Sequence, residues 1–116
     1  MVKKILVVED NEELRMLMEL ALESEGFRVE CAPNGLEALK LLKENSTPDL
    51  ILLDLMMPVM SGQEFLESRR QVPELHEIPL IVFSAASENV PPGFPFLRKP
   101  VDLDHLLSEV QGLIAS

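Results

Sequence analysis

At 116 residues, 47% of them hydrophobic and 26% charged, the chain has the makeup of one globular domain with a core of ordinary size, and not that of a disordered or fibrous polypeptide. Twenty acidic residues against ten basic ones leave a formal charge of −10, which argues against direct binding to a nucleic-acid backbone and removes any general attraction to anionic membranes. No apolar run is long enough to span a bilayer and no signal segment opens the chain. A single cysteine, Cys31, rules out an internal disulfide, so the expected location is the reducing cytoplasm.

Strand-like and helix-like segments alternate from the start. Lys4-Ile5-Leu6-Val7-Val8 is a short β-branched run. A helical pattern follows from Asn11 to about Glu25, with Leu14, Leu17, Met18, Ala21 and Leu22 at helical spacing and Gly26 as its stop. Phe27 to Cys31 alternates as a strand, in which Cys31 reads as a small packing residue with no nearby base to activate it. Asn34-Gly35-Leu36-Glu37 opens the next helix with a cap, and Leu36, Leu39, Leu41 and Leu42 supply its apolar positions.

Asp49 to Leu55 is an unbroken apolar run apart from its acids, the pattern of a strand covered on both faces. Ser61-Gly62-Gln63-Glu64 repeats the S-x-x-E cap and starts a helix that ends before Pro73. Ile78 to Phe83 is a further strand, and Phe94 to Lys99 a short last one that Pro95 confines to a sheet edge. Asp102 caps a final helix with Leu103, Leu106, Leu107, Val110 and Leu113 on its apolar face. His76, placed in a loop between Pro73 and Pro79, and His105, in the last helix, read as ordinary side chains.

Five strands alternating with helices, without linker or repeat, imply one doubly wound α/β domain over residues 1–116, a parallel sheet covered on both faces. Such sheets bind ligands outside the carboxyl ends of their strands. The unusual polar residues fall at those ends: Glu9 and Asp10 after the first strand, Asp54 at the third, Ser84 at the fourth and Lys99 at the fifth. A parallel sheet gathers them at one edge.

Three neighbouring carboxylates repel, and a compact divalent cation relieves the repulsion. Oxygen-only ligands, with no His or Cys near these strand ends, select Mg²⁺ or Mn²⁺ over zinc. The cation would neutralise Asp54 and an incoming phosphoryl group, Lys99 would add a mobile positive charge, and the Ser84 hydroxyl could donate to a phosphoryl oxygen. The constellation fits formation of an acyl phosphate on Asp54, and it gives a reason for a carboxylate inside an apolar run.

In Ile5-Leu6-Val7-Val8-Glu9-Asp10-Asn11, Ala32-Pro33-Asn34-Gly35-Leu36-Glu37-Ala38-Leu39, Asp54-Leu55-Met56-Met57-Pro58-Val59-Met60-Ser61-Gly62 and Leu97-Arg98-Lys99-Pro100, the sequence resembles a CheY-like receiver domain of a bacterial two-component response regulator. The resemblance covers nearly the whole chain. It implies a flavodoxin-like five-stranded sheet in the order 2-1-3-4-5. It further implies that Asp54 is the phosphoacceptor and that Glu9, Asp10, Asp54 and the backbone carbonyl of Met56 hold Mg²⁺. Ser84 takes the position of the switch hydroxyl, Lys99 that of the phosphoryl-binding lysine, Phe96 that of the switch aromatic, and the Lys99–Pro100 peptide that of the usual cis bond. The implied partners are a histidine kinase or histidine phosphotransfer protein and a downstream protein of unknown kind, with no nucleic acid or membrane bound directly. The chain is then a phosphorylation-dependent signalling switch and no conventional enzyme: at most it catalyses its own phosphorylation and slow dephosphorylation.

Rival readings are weaker. A dehalogenase-type aspartate hydrolase wants a second acid two residues after the nucleophile, where this chain has Met56. A flavodoxin-like phosphate loop after the first strand is opposed by Glu9, Asp10, Glu12 and Glu13. The alternative that remains is a receiver-like interaction module that does not switch by phosphorylation. The complete set of acids, hydroxyl and lysine speaks against it.

Three further expectations are specific to this chain. Met56 and Ala86, two residues beyond the phosphoacceptor and the switch hydroxyl, cannot orient a water, which predicts slow self-hydrolysis. Met16 and Leu20 beside Leu14 and Leu17 widen the apolar face of the first helix into a dock for a helical partner. The span from Ala85 to Gly93, with Pro91, Pro92 and Gly93 and then Pro95, opposes a regular helix, so the helix before the last strand is expected to be missing or vestigial, with Val90, Phe94 and the prolines covering the sheet edge instead.

Overall fold

The structure is a computed structural model that describes residues 2–57, 59–85 and 90–114. The element order is β1 (Lys4–Val8), α1 (Glu12–Ser24), β2 (Arg28–Ala32), α2 (Gly35–Glu44), β3 (Leu50–Asp54), α3 (Gly62–Arg70), α4 (Pro73–His76), β4 (Leu80–Ser84), β5 (Phe96–Arg98) and α5 (Leu103–Ile114). All strand pairs are parallel, in the order β2-β1-β3-β4-β5 expected of the doubly wound fold.

The side-chain alternation of the strands divides the core into two layers. Leu6, Val8, Ile51, Leu53 and Val82 point to one face, where Ala38 and Leu42 of α2, Phe65 and Leu66 of α3 and Leu75 of α4 cover them. Ile5, Val7, Leu50, Leu52, Ile81 and Phe83 point to the other, under Met18 and Leu22 of α1 and Leu106, Val110 and Ile114 of α5. Both faces of β1, β3 and β4 are therefore dry, which is why these strands read as continuous apolar runs.

Capping follows the sequence closely. Asn11 and Asn34 each accept a hydrogen bond from the amide three residues on. Ser61 and Glu64 form a reciprocal capping box. Asp102 Oδ1 accepts from the amides of Asp104 and His105 at 3.0 and 3.3 Å. Gly26 carries φ +92, the left-handed turn that ends α1.

The structure departs from the sequence reading at several points. Leu17, placed on the core side of α1 by periodicity, is 50% exposed, and only Met18 and Leu22 of that helix are fully buried. The last strand is three residues, Phe96–Arg98, and stops short of both Phe94 and Lys99. His76 lies in the one-turn helix α4 and not in a loop: Pro73 starts that turn at a position where its missing N–H costs nothing. In agreement with the expectation from the prolines, no described residue between Ser84 and Phe96 is helical, and Val90 and Phe94 pack against the α2–α3 layer of the core. The expectation for 86–89 lies outside the described residues. Arg69, near the end of α3, is buried: its Nη2 donates to the carbonyls of His76 and Ile78 at 2.7 and 2.6 Å, and its guanidinium lies 5.7 Å from the Phe94 ring centroid. Among the described residues no helix is long and apolar enough to cross a membrane.

Candidate functional site

The parallel register brings the residues singled out in the sequence to one edge. Val8 pairs with Leu53 and Asp54 with Phe83, so Glu9 and Asp10 leave the sheet beside Asp54, with Ser84 one step further on β4. Ser84 pairs with Arg98, and the Lys99 amide donates to the Ser84 carbonyl at 2.9 Å, which brings the lysine out beside the same edge.

Glu9 is fully buried, Asp54 is 1% and Ser84 2% exposed, and Asp10 is exposed. One carboxylate oxygen from each of Glu9, Asp10 and Asp54 can be chosen so that all three lie within 4.8 Å of one another. The Lys99 ammonium stands 2.9 Å from Glu9 Oε1 and 3.1 Å from Asp54 Oδ2, and 5.6 Å from the Phe83 ring centroid. The second oxygens are held by main chain: the Asn11 amide donates to Glu9 Oε2 at 2.9 Å, and the Met56 amide to Asp54 Oδ1 at 3.0 Å. The Lys99–Pro100 peptide is cis.

Burial dominates the electrostatics. It pushes the Glu9 carboxyl from its usual 4.5 up to about 7, against the opposing pull of the Asn11 amide and Lys99 and with help from the charge of Asp54. It raises Asp54 as well, less the effect of the Met56 amide and Lys99. Burial also acts upward on Asp10, but hydrogen bonding with Glu9 and Asp54 and the charge of Lys99 outweigh it, so that group stays below the usual range. For Lys99, burial works against the ammonium and is outweighed by Glu9 and Asp54, which hold its pKa high.

One buried atom shows what the cluster wants. Among the described residues Glu9 Oε1 has no aligned hydrogen-bond donor, and the cation close to it is the Lys99 ammonium. Among the described residues, two buried carboxylates and a third at their edge gather around one ammonium, that of Lys99. The donor set is oxygen alone, which suits a hard divalent cation such as Mg²⁺. These residues fit such an ion.

Two positions around the cluster are sterically fixed. A Cβ on Gly62 would lie 2.5 Å from Leu55 Cα and 2.7 Å from the Asp54 carbonyl oxygen, so only glycine lets α3 start this close to the end of β3. Val59, 74% exposed, sits at φ +69, a left-handed conformation that a β-branched residue rarely takes. Sequence periodicity gives no signal for Val59, though its place in the turn between Pro58 and Gly62 marks where one could arise. Of the other residues singled out, Phe96 is half-buried against the α2–α3 layer, Met56 is 64% exposed, Ala86 lies outside the described residues, and Met16 and Leu20 are exposed on α1 at 52% and 62%. Pro100 is exposed and His105 pairs with Glu109 at 3.3 Å on the surface of α5.

A parallel sheet in this order, with buried acids, a hydroxyl and a lysine gathered at its carboxyl edge, defines the CheY-like receiver class of two-component signalling. The family model for the response regulator receiver domain matches residues 5–111, and the chain belongs to that family. It is 36% identical over 121 residues to the phosphate regulon transcriptional regulatory protein PhoB of Rhizobium meliloti, an alignment covering 98% of this chain and 53% of that protein. It is 35% identical over 122 residues to the sensor histidine kinase TmoS of Ectopseudomonas mendocina, covering 97% of this chain and 12% of that one. The chain thus spans about half, or much less, of the length of these two relatives. Among solved structures, the chemotaxis response regulator CheY4 of Vibrio cholerae superposes with a TM-score of 0.87 at 27% identity, over 98% of this chain and 100% of that one. A response regulator receiver protein from Pseudomonas putida gives 0.86 at 30% identity, over 97% and 98%.

Proposed function

We propose that the chain, as a single receiver domain over residues 1–116, accepts a phosphoryl group on Asp54 from a phosphohistidine of a histidine kinase or phosphotransfer protein and relays that state to a downstream protein. The observation that carries this reading is the burial of Asp54 at 1% exposure within reach of Lys99 and of two further carboxylates. A purely structural role for Asp54 would leave that clustering of like charge as a cost that the Lys99 ammonium offsets only in part.

Glu9, Asp10 and Asp54, with the backbone carbonyl of Met56, would hold Mg²⁺ or Mn²⁺. When bound, such an ion supplies charge neutralisation for the phosphoryl oxygens. The chain's own residues do the rest. The Met56 amide and Lys99 each hold one oxygen of Asp54, which fixes the direction of the carboxylate. An Asp54 oxygen attacks phosphorus in line, the new P–O bond forms as the P–N bond of phosphohistidine breaks, and the imidazole nitrogen leaves with the electron pair and takes up a proton. Lys99 turns from the carboxylate to the transferred phosphoryl oxygens, and Ser84 donates its hydroxyl to another. Phe96 and the 90–95 segment adjoin Ser84 through β5 and are the route by which the new charge alters the surface.

The exposed apolar residues Met16, Leu17 and Leu20 of α1 present a face to the donor's helices. Neither Met56 nor Ala86 offers a group to activate water, so slow self-hydrolysis of the phosphorylated form is expected, and a half-life of seconds without a phosphatase would contradict it. Transfer of labelled phosphate from a phosphorylated histidine donor with Mg²⁺ tests the reading: wild type takes label, while Asp54→Asn and wild type in EDTA do not. Undiminished labelling of Asp54→Asn would refute it.

A further inference from the structure

Arg15 is not among the residues that the acid, hydroxyl and lysine pattern picks out. It lies half-buried on the first turns of α1, and its Nη1 donates to the backbone carbonyl of Glu9 at 2.9 Å. That carbonyl belongs to the peptide joining Glu9 to Asp10, the two consecutive acids of the cluster. The Glu9 amide still continues the sheet, donating to the Ala32 carbonyl at 3.0 Å, but β1 ends at Val8 and its ladder to β2, the side Glu9 faces, ends with the Val8–Ala32 pair. At Glu9 the chain turns from strand to helix within three residues, and a carbonyl at such a turn has no ladder partner of its own.

Arg15 supplies one from six residues ahead. Its own amide donates to Asn11 O, and Asn11 caps α1 through Leu14, so the guanidinium is carried by a helix whose start is itself pinned. The Asn11 amide also holds Glu9 Oε2. The Glu9-Asp10-Asn11 turn is thus clamped twice, once through the Glu9 side chain by Asn11 and once through its main chain by Arg15.

We infer that Arg15 is a positioning residue of the carboxylate site, holding the Glu9–Asp10 peptide so that the exposed Asp10 carboxylate faces Glu9 and Asp54. The inference rests on the proposed reading of the cluster as a divalent-cation site and adds a residue to it. Partners that orient cation ligands commonly change affinity by about 10–100-fold when removed. The direction of the effect separates this role from a merely electrostatic one. A guanidinium near a cation site repels the cation, so loss of its charge alone would tighten Mg²⁺ binding. Loss of the clamp weakens it.

The test uses Mg²⁺ titrated calorimetrically into the full chain, as wild type, Arg15→Met and Arg15→Lys, with amide exchange of the metal-free proteins. Arg15→Met keeps an apolar stem of similar reach and removes the donor. The expected result is about tenfold weaker Mg²⁺ binding, faster exchange at the Asn11 amide, and unchanged protection at Met18 and Leu22 in the middle of α1. Arg15→Lys, which keeps a donor and the charge, recovers part of the affinity. Mg²⁺ binding by Arg15→Met as tight as wild type or tighter overturns the inference, as does an Arg15→Lys variant no better than Arg15→Met. A wild-type chain that binds no Mg²⁺ at millimolar concentration overturns the cation-site reading itself, and the two failures are told apart by that one titration.

Discussion

Lys99 Nζ lies 3.1 Å from Asp54 Oδ2, a contact between residues 45 apart in sequence that joins the end of β3 to the residue following β5. The same ammonium is 2.9 Å from Glu9 Oε1. One side chain therefore faces both buried carboxylates, and it does so from the position that a divalent cation would contest.

That double contact sets opposite consequences for Lys99→Met. Removing the ammonium removes a competitor for the cation, so Mg²⁺ binds more tightly than to wild type. Transfer to Asp54 nevertheless falls by about 10²–10³-fold, because a preorganised charge aimed at the phosphoryl oxygens is gone. Calorimetric Mg²⁺ affinity and labelled phosphotransfer on the same variant check the pair of outcomes. Weaker Mg²⁺ binding by Lys99→Met would contradict this account of the site.

The raised Glu9 carboxyl makes stability depend on pH in a stated direction. Its folded pKa of about 7 exceeds the usual 4.5, so its contribution to stability is fully present below the lower value and is lost as pH rises through the higher. Asp54, also raised, acts in the same sense. Asp10 is lowered, so its contribution acts above the usual 3.8 and disappears only in more acidic solution. In EDTA the melting temperature is expected to decline between about pH 5 and pH 8. With excess Mg²⁺ the decline shrinks, since the ion binds the deprotonated form and its stabilisation grows with pH. Melting curves across that range with and without Mg²⁺ decide the matter, and a Mg²⁺ increment that shrinks with rising pH would contradict it.

Gly62 is where α3 meets the end of β3. Gly62→Ala places a methyl 2.5 Å from Leu55 Cα, a main-chain obstacle that no rotamer change can clear. The expected cost is about 1–3 kcal/mol in urea unfolding. Mg²⁺ affinity should fall with it, since the displaced backbone carries both Asp54 and Leu55. An alanine variant as stable as wild type would show that the β3–α3 turn is more pliant than this packing implies.

Val59→Gly should act in the opposite direction. The valine is held at φ +69, and a left-handed conformation of this kind costs about 1–3 kcal/mol for a non-glycine residue. Glycine removes that strain at the expense of a more flexible unfolded chain. The net expectation is a gain of about 1 kcal/mol by chemical denaturation, with Asp54 labelling retained. A loss of stability would mean that the Val59 side chain contributes contacts beyond its backbone strain.

Much of this molecule is legible one residue at a time. The continuous apolar runs at β1, β3 and β4 show that both sheet faces are covered, because a strand wetted on one side would alternate. Ser61 with Glu64, and Asn11, Asn34 and Asp102, announce helix starts through bonds that span three residues or fewer, so their chemistry is local and sequence is enough. Glu9, Asp10, Asp54, Ser84 and Lys99 are legible as one group in the sequence, since a parallel sheet places every strand's carboxyl end on the same edge. Harder to read were helix faces and short elements. Leu17 has the spacing of a core residue and lies at the margin of the buried stripe, and the single turn of α4 is too brief to leave a period.

By itself, then, the amino-acid sequence determined the alternation of strands and helices, their caps, and the set of polar residues delivered to one edge, because each of these depends on hydrogen bonds and periodicities a few residues long. Only the tertiary structure decided which atoms share that edge and on what terms. It put one ammonium between Glu9 and Asp54 and left Glu9 Oε1 without an aligned donor. It turned Arg15 back onto the Glu9 carbonyl, buried Arg69 against two carbonyls and the Phe94 ring, and forced Val59 into a left-handed turn. Burial and distance set these interactions, and both are properties of chain segments far apart in sequence that meet only when the sheet has closed its register.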